Sequence, residues 1–226
     1  MRASTRGGSP AGGWDGIVFD LDGTLWDSTA TVARAWDAVA RERIPGHPGL
    51  TRADMRGVMG LAHAEIAQRI FPRLALALRE PVVQACYAAE EELLRREGAP
   101  VYAGVREGLA ALAARYPLAI VSNCQRGYIE TFFAVTGTQP LFCDSECHGN
   151  TGLSKGENLL ALVTRRRMAQ AVYVGDTAGD EAAAAQAGMP FIHVRYGFGQ
   201  PRGPCPAAAD FAELTRMLLQ AGPEGA

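Results

Sequence analysis

Asp20 and Asp22 stand two residues apart at the end of the short apolar run Ile17-Val18-Phe19, and Gly23-Thr24 follows them. Successive strand side chains point to opposite faces, so carboxylates at i and i+2 share a side. A glycine straight after them lets the backbone bend over a ligand. A core strand that delivers two acids to one place is costly unless a cation or a proton compensates them. A calcium loop can open the same way, but it needs further close-spaced oxygen ligands and a Glu at about the twelfth position. Counting from Asp20, that position is Thr31.

Three later features have the same character. Leu118-Ala119-Ile120-Val121 is a second apolar run, and it ends in Ser122-Asn123. Lys155 follows Gly152-Leu153-Ser154 and opens an amphipathic stretch with Leu159, Leu160, Leu162 and Val163. Val172-Tyr173-Val174 ends in Gly175-Asp176-Thr177-Ala178-Gly179-Asp180, and one helical turn puts Asp176 and Asp180 on one side. Each feature falls at the carboxyl end of a strand or the start of a helix. In an open parallel sheet those ends share one edge, where such folds bind ligands.

Asp20-x-Asp22-Gly-Thr-Leu, Ser122-Asn123, Lys155 and Gly-Asp176-x-x-x-Asp180, in that order, resemble the four motifs of the haloacid dehalogenase superfamily. The subgroup resembled is the phosphoglycolate-phosphatase-like hydrolases with a helical cap inserted after the first motif. The resemblance covers about residues 15–200. It departs from the usual pattern at Ala103, where a proline often precedes the glycine, and in the extension Asn123-Cys124-Gln125-Arg126-Gly127-Tyr128.

That resemblance implies a phosphatase acting on a small phosphorylated metabolite through an aspartyl-phosphate intermediate. Asp20 is expected as the nucleophile, since a carboxylate can form an acyl phosphate. Asp22 is expected to protonate the leaving oxygen and then to deprotonate water, so it must be protonated when substrate arrives. Asp20, Asp176 and Asp180 bring three negative charges together, and hard oxygen donors in that number suit Mg²⁺. The resemblance implies metal contacts from the Asp20 carboxylate, the Asp22 backbone carbonyl and Asp176, with Asp180 direct or through water. Ser122 and the Asn123 backbone are expected on phosphate oxygens, and Lys155 on the charge of Asp20 and phosphate.

A dehalogenase of the same superfamily needs no acid for a leaving alkoxide, so Asp22 favours phosphate esters. A phosphosugar mutase shares the core but returns the phosphoryl group to its intermediate. A phospho-receiver module also joins acids, Ser/Thr and Lys around Mg²⁺, yet it has no use for a helical insert.

These residues need elements that hold them at one edge. Residues 14–28 and 99–226 alternate strand and helix signals, which gives an α/β class: a Rossmann-like, doubly wound parallel sheet. Its expected strands are Ile17–Phe19, Leu118–Val121, a weak one around Leu141–Cys143, Val172–Val174 and Phe191–Val194. Helices are expected around Tyr128–Val135, Lys155–Arg167 and Phe211–Leu219. Residues 29–98 carry helical stripes instead: Ala33, Trp36, Ala40 and Ile44, then Ile66, Ile70 and Phe71, then a long helix opening at Glu80-Pro81. Three or four helices are too many for a crossover, so they read as an inserted cap domain. Within it, Arg34, Arg52, Arg56, His63 and Arg69 are possible substrate contacts, with Arg56 and His63 favoured because they flank Gly57-Val58-Met59-Gly60.

Bulk properties agree with one globular enzyme subunit of 226 residues, 48% hydrophobic and 20% charged. A formal charge of −2 supplies no basic field for nucleic acid. No run approaches about 18 consecutive apolar residues, so no membrane partner is expected. Residues 1–13 are rich in Gly and Ser and read as a flexible leader. Five cysteines without paired spacing argue against zinc at Cys143-x3-Cys147-His148, and an odd count fits a reducing cytoplasm. Arg165-Arg166-Arg167 reads as a solvated run at a helix end. The expected assembly is a monomer or homodimer.

Overall fold

A computed structural model describes residues 13–61 and 63–220, except the side chains of residues 63 and 64. Most of the expected leader lies outside the described residues. The chain opens with strand β1 (Gly16–Phe19), then helices α1 (Thr29–Arg43), α2 (Arg52–Arg56), α3 (His63–Ile70) and α4 (Leu76–Glu97). Next come α5 (Val105–Ala113), β2 (Leu118–Ser122), α6 (Tyr128–Thr136), β3 (Asp144–Cys147), α7 (His148–Thr151) and α8 (Lys155–Arg166). β4 (Ala171–Gly175), α9 (Ala178–Gln186), β5 (Phe191–Val194), β6 (Ala207–Ala208) and α10 (Phe211–Gln220) complete the order.

The six strands form one all-parallel sheet in the order β3-β2-β1-β4-β5-β6. Strand alternation divides the core between two faces. Ile17, Phe19, Ile120, Val172 and Val174 face a cluster with Leu109, Phe132, Phe211 and Leu214. Val18, Ala119, Val121 and Tyr173 point the other way, onto Leu159, Leu162 and Ala184 of α8 and α9. Both faces are covered, which is why the strands read as continuous apolar runs. The chain order reverses at β1, so the gap between the ends of β1 and β4 is the natural ligand crevice.

Between β1 and β2 the chain leaves and re-enters the sheet layer along neighbouring paths. Trp26 bridges Val101, Asp27 N–H donates to the Pro100 carbonyl at 2.8 Å, and Thr31 Oγ1 donates to the Gly98 carbonyl at 3.0 Å. Inside the insert, α1 packs on α4, with Trp36 against Phe71 and Tyr87. The larger apolar cluster runs unbroken from the sheet into these helices.

Several boundaries differ from the sequence expectation. The weak strand expected at Leu141–Cys143 is a 3-10 turn over Gln139–Leu141, and the strand itself is Asp144–Cys147. Pro140 favours the turn. The edge strand carries acids that pair with α8: Arg165 and Arg166 reach Asp144 at 2.7 Å, and Arg165 reaches Glu146 at 2.8 Å. Arg165 and Arg166, expected to be solvated, are therefore partnered, though both stay exposed enough that the pairs contribute little to stability. The helix expected to open at Glu80-Pro81 opens at Leu76 and contains Pro81. Arg79 donates to the Phe71 and Pro72 carbonyls, tying that early turn to α3. The two-residue β6 and the short α2 and α7 are too brief to leave a periodic signal.

Candidate active site

β1, β2 and β4 end side by side, and each hands one part of the site to the crevice. β1 ends at Asp20, whose N–H donates to the Val174 carbonyl at 2.8 Å, so the neighbouring strand fixes its backbone. The chain then turns sharply: Gly23 N–H returns to the Trp26 carbonyl at 2.9 Å, with Gly23 at φ +86°. A side chain at Gly23 would strike the Asp176 carboxylate, and a Cβ at Gly197 would overlap Asp176 Cβ. Both glycines are required because Asp176 packs between two backbones.

Lys155 sits at the start of α8, which Ser154 and Glu157 cap reciprocally. Its ammonium is 2.8 Å from Asp20 Oδ1 and 2.7 Å from Asp180 Oδ1, with all three side chains at most 5% exposed. Burial alone would lower the Lys155 pKa, but Asp180 and Asp20 hold it well above its usual value, so it stays charged. Asp180 also anchors its own helix start, accepting from Thr177 N–H at 3.0 Å and Thr177 Oγ1 at 2.6 Å. Burial opposes its charge, yet Lys155 and the Thr177 donors keep its pKa low.

Asp20 and Asp176 lie in the opposite regime. Burial first, then the Asp180 charge, pushes the Asp20 pKa up to about 7. Asp176 is raised well above its usual value by burial, then by Asp180 and Asp20. Phe198 N–H donates to Asp176 Oδ2 at 2.6 Å, while Oδ1 is buried with no protein partner. Carboxylate oxygens of Asp20, Asp176 and Asp180 fall within 4.8 Å of one another. A partnerless buried oxygen beside two further carboxylates is the donor set of a hard divalent cation, and a cation there offsets the repulsion that raises Asp20 and Asp176.

Asp22 is held apart from that group. Ser28 Oγ donates to Asp22 Oδ1 at 2.6 Å, and Tyr128 OH lies 2.9 Å from the same oxygen and 2.8 Å from Ser28 Oγ. Burial raises the Asp22 pKa to about 6 against the pull of these hydrogen bonds. The sequence reading missed both partners. Tyr128 stands in the noted extension after Asn123, and Ser28 ends the segment leading into α1; no spacing rule links either to Asp22.

Ser122 is buried at the end of β2, and its Oγ accepts from Cys124 N–H at 3.4 Å. Asn123 Nδ2 donates to the Gly60 carbonyl at 2.8 Å, joining the β2 end to the α2–α3 loop. Asp20, Asp22, Ser122 and Asn123 line one cavity of about 50 Å³ with residues of the insert, among them Trp36, Met55, Val58 and Glu90. Arg56 is not among the described residues lining it. Its guanidinium donates to the Gly197 carbonyl at 2.8 Å and lies over the Phe198 ring, clasping the loop that carries Asp176's N–H donor. Arg34 pairs with Glu97 and Arg52 with Asp27, each at 2.5 Å. The His63 side chain lies outside the described residues. Glu90, also missed, is 4% exposed in the cavity wall; the sequence shows it as one of three consecutive glutamates on a helix, a solvated pattern.

The family model described as haloacid dehalogenase-like hydrolase matches residues 17–194. A plasmid-encoded phosphoglycolate phosphatase of Cupriavidus necator is 31% identical over 205 residues, covering 86% of each chain. The phosphoglycolate phosphatase of Synechococcus elongatus is 31% identical over 214 residues, covering 91% of this chain and 95% of that protein. Among solved structures, a haloacid dehalogenase-like hydrolase of Streptococcus pneumoniae superposes with TM-score 0.79 at 21% identity, over 90% of this chain and 98% of that one. CbbY of Rhodobacter sphaeroides, solved with phosphate, superposes with TM-score 0.73 at 20% identity, over 89% of this chain and 96% of that one. Likeness at this identity carries the fold alone.

Proposed function

The chain belongs to the haloacid dehalogenase-like hydrolase family, and from that premise we propose that it is a Mg²⁺-dependent phosphatase of small phosphate monoesters working through an aspartyl phosphate. The observation that carries this reading is the division of labour between two acids two residues apart. Asp20 is bound by the Lys155 ammonium, and Asp22 is held away from it by Ser28 and Tyr128.

In the first half-reaction an Asp20 oxygen attacks phosphorus and the bond to the leaving alcohol breaks. Lys155 occupies Oδ1, which leaves Oδ2 for the attack. Asp22, its pKa raised to about 6, delivers its proton to the departing oxygen. In the second half-reaction Asp22 takes a proton from water as the water attacks the acyl phosphate, freeing Asp20 and inorganic phosphate. Ser122 and the Asn123 backbone bind phosphate oxygens from the end of β2, and Lys155 offsets the charge gathered at Asp20.

Asp20, Asp176 and the Asp22 backbone carbonyl would hold the metal. Asp180, whose two oxygens already meet Lys155 and Thr177, would act through water. The metal supplies positive charge to the transferring phosphoryl oxygens. We read residues 29–98 as the cap and residues 14–28 with 99–226 as the core, the cap walling the cleft against bulk water. Arg56 then serves to clamp the Gly197–Phe198 loop. The free cysteines support a reducing compartment, the cytoplasm. Among the described residues no helix is long and apolar enough to cross a membrane.

The test is phosphate release from a panel of small esters with Mg²⁺, for wild type and Asp20→Asn. An amide is a poor nucleophile of nearly the same shape, so turnover should vanish with the fold intact. Retention of more than roughly a tenth of wild-type activity, a barrier increase under about 1.4 kcal/mol, overturns Asp20 as nucleophile.

A further inference from the structure

The cavity lined by Asp20 and Asp22 also carries Glu90, contributed by the insert. Glu90 is buried on α4, and each of its oxygens accepts one hydrogen bond: Trp36 Nε1 at 2.6 Å on Oε2, and Gln125 Nε2 at 2.6 Å on Oε1. A carboxylate has about four acceptor sites, so two remain for a ligand. Gln125 belongs to the stretch that follows Ser122 and Asn123, which ties the Glu90 position to the β2 end of the same cavity.

Much of the rest of the insert side is apolar, with Val32, Trp36, Met55, Val58 and Ile66, and Tyr87 also lines it. Among the described residues lining the cavity, none is Arg, Lys or His. Its charged groups are Asp20, Asp22 and Glu90. An ester whose phosphorus meets Asp20 therefore extends its other end past apolar walls toward an acceptor. Among the described residues, a carboxylate placed there meets Asp22 and Glu90 with no cationic side chain to pair with, while a hydroxyl or ammonium meets a hydrogen-bond acceptor already fixed by two donors.

We propose that Glu90 selects the leaving group: the site takes small phosphate monoesters whose alcohol ends in a hydroxyl or ammonium donor, and rejects esters ending in a carboxylate. This rests on the phosphatase reading above. It separates the chain from relatives named for phosphoglycolate, because 2-phosphoglycolate ends in a carboxylate.

The experiment measures kcat/KM with Mg²⁺ at about pH 8, where Glu90, raised by burial to about 7, is mostly ionised, on 2-phosphoglycolate, phosphoethanolamine, glycerol 3-phosphate, propyl phosphate and a generic aryl phosphate, for wild type and Glu90→Gln. The expected wild-type result is a preference of about tenfold or more for a donor-bearing ester over 2-phosphoglycolate. The two donor-bearing esters distinguish an ammonium from a hydroxyl end. Glu90→Gln should cut that preference at least about fivefold while changing propyl phosphate little. If Glu90→Gln does not fold, product inhibition of wild-type aryl phosphatase activity decides instead: ethanolamine or glycerol should compete, and glycolate should not. Equal or better turnover of 2-phosphoglycolate, or competition by glycolate alone, overturns the inference and leaves the phosphatase reading standing. No phosphate release from any ester overturns that reading, and this inference with it.

Discussion

In the proposed reaction two carboxylates two residues apart do different work, because different donors hold them. Lys155 binds Asp20, the proposed nucleophile, whereas Ser28 and Tyr128 hold Asp22 and leave burial to raise its pKa to about 6. Tyr128→Phe tests that division directly. It removes one hydrogen bond to Asp22 and keeps the ring, which packs edge-on against Trp26. The fold should hold, and kcat should drop about tenfold, near 1.4 kcal/mol, because Asp22 loses orientation. Steady-state kinetics beside a thermal melt makes the check; unchanged kcat in a folded variant removes Tyr128 from the proton-transfer machinery. Asp20, Asp22, Asp176 and Asp180 stood out in the sequence as acids at strand ends, a local pattern, whereas Lys155 stood out only by its place in the order of the four motifs. Ser28, Tyr128 and Glu90 did not, since each gains its meaning only from the partner its side chain meets in the folded chain.

At the scale of the element, α4 is unusual in burying an acid in an apolar wall. Burial, the largest influence, pushes the Glu90 pKa from 4.5 to about 7, although Gln125 and Trp36 hydrogen bonds pull it down. The folded chain keeps this proton at pH values where the unfolded chain has released it. Stability from this group is therefore greatest below 4.5 and falls as pH rises through 7, by on the order of 3 kcal/mol. Glu90→Gln has no proton to lose, and Gln125 can turn its amide to meet the new side chain. Urea midpoints of metal-free protein at about pH 5 and pH 8 should show the variant gaining on wild type at the higher pH. A constant difference between the two proteins across that range contradicts the burial of an ionisable Glu90. The misplaced β3 belongs to the same scale. Its side chains are acidic because it is an edge strand facing α8, and a reading based on apolar runs has nothing there to find.

For the whole molecule, the crevice stores electrostatic strain that a cation can relieve. Asp176 Oδ1 is buried without a protein partner, and Asp20 and Asp180 stand beside it. Mg²⁺ at about 100 times its dissociation constant should stabilise the chain by about 2.7 kcal/mol, a Tm rise of roughly 5–10 °C, and chelation should reverse it. Asp176→Asn should raise the Tm of the metal-free protein, by removing a buried acid from a cluster of like charge, and should abolish the Mg²⁺ response. A variant that keeps the full Mg²⁺ shift shows that the ion binds elsewhere.

The amino-acid sequence by itself determined the parallel α/β core and the helical insert, because apolar runs and helical stripes are local consequences of burial. It also determined the order of the four strand-end and helix-start motifs. Only the tertiary structure decided which groups share a proton, a charge or a wall. Lys155 meets Asp20 across 135 positions, Tyr128 meets Asp22 across 106, and Glu90 meets Gln125 across 35. Hydrogen bonds and pKa values depend on distance and burial in space, and neither is written in the spacing of residues along a chain.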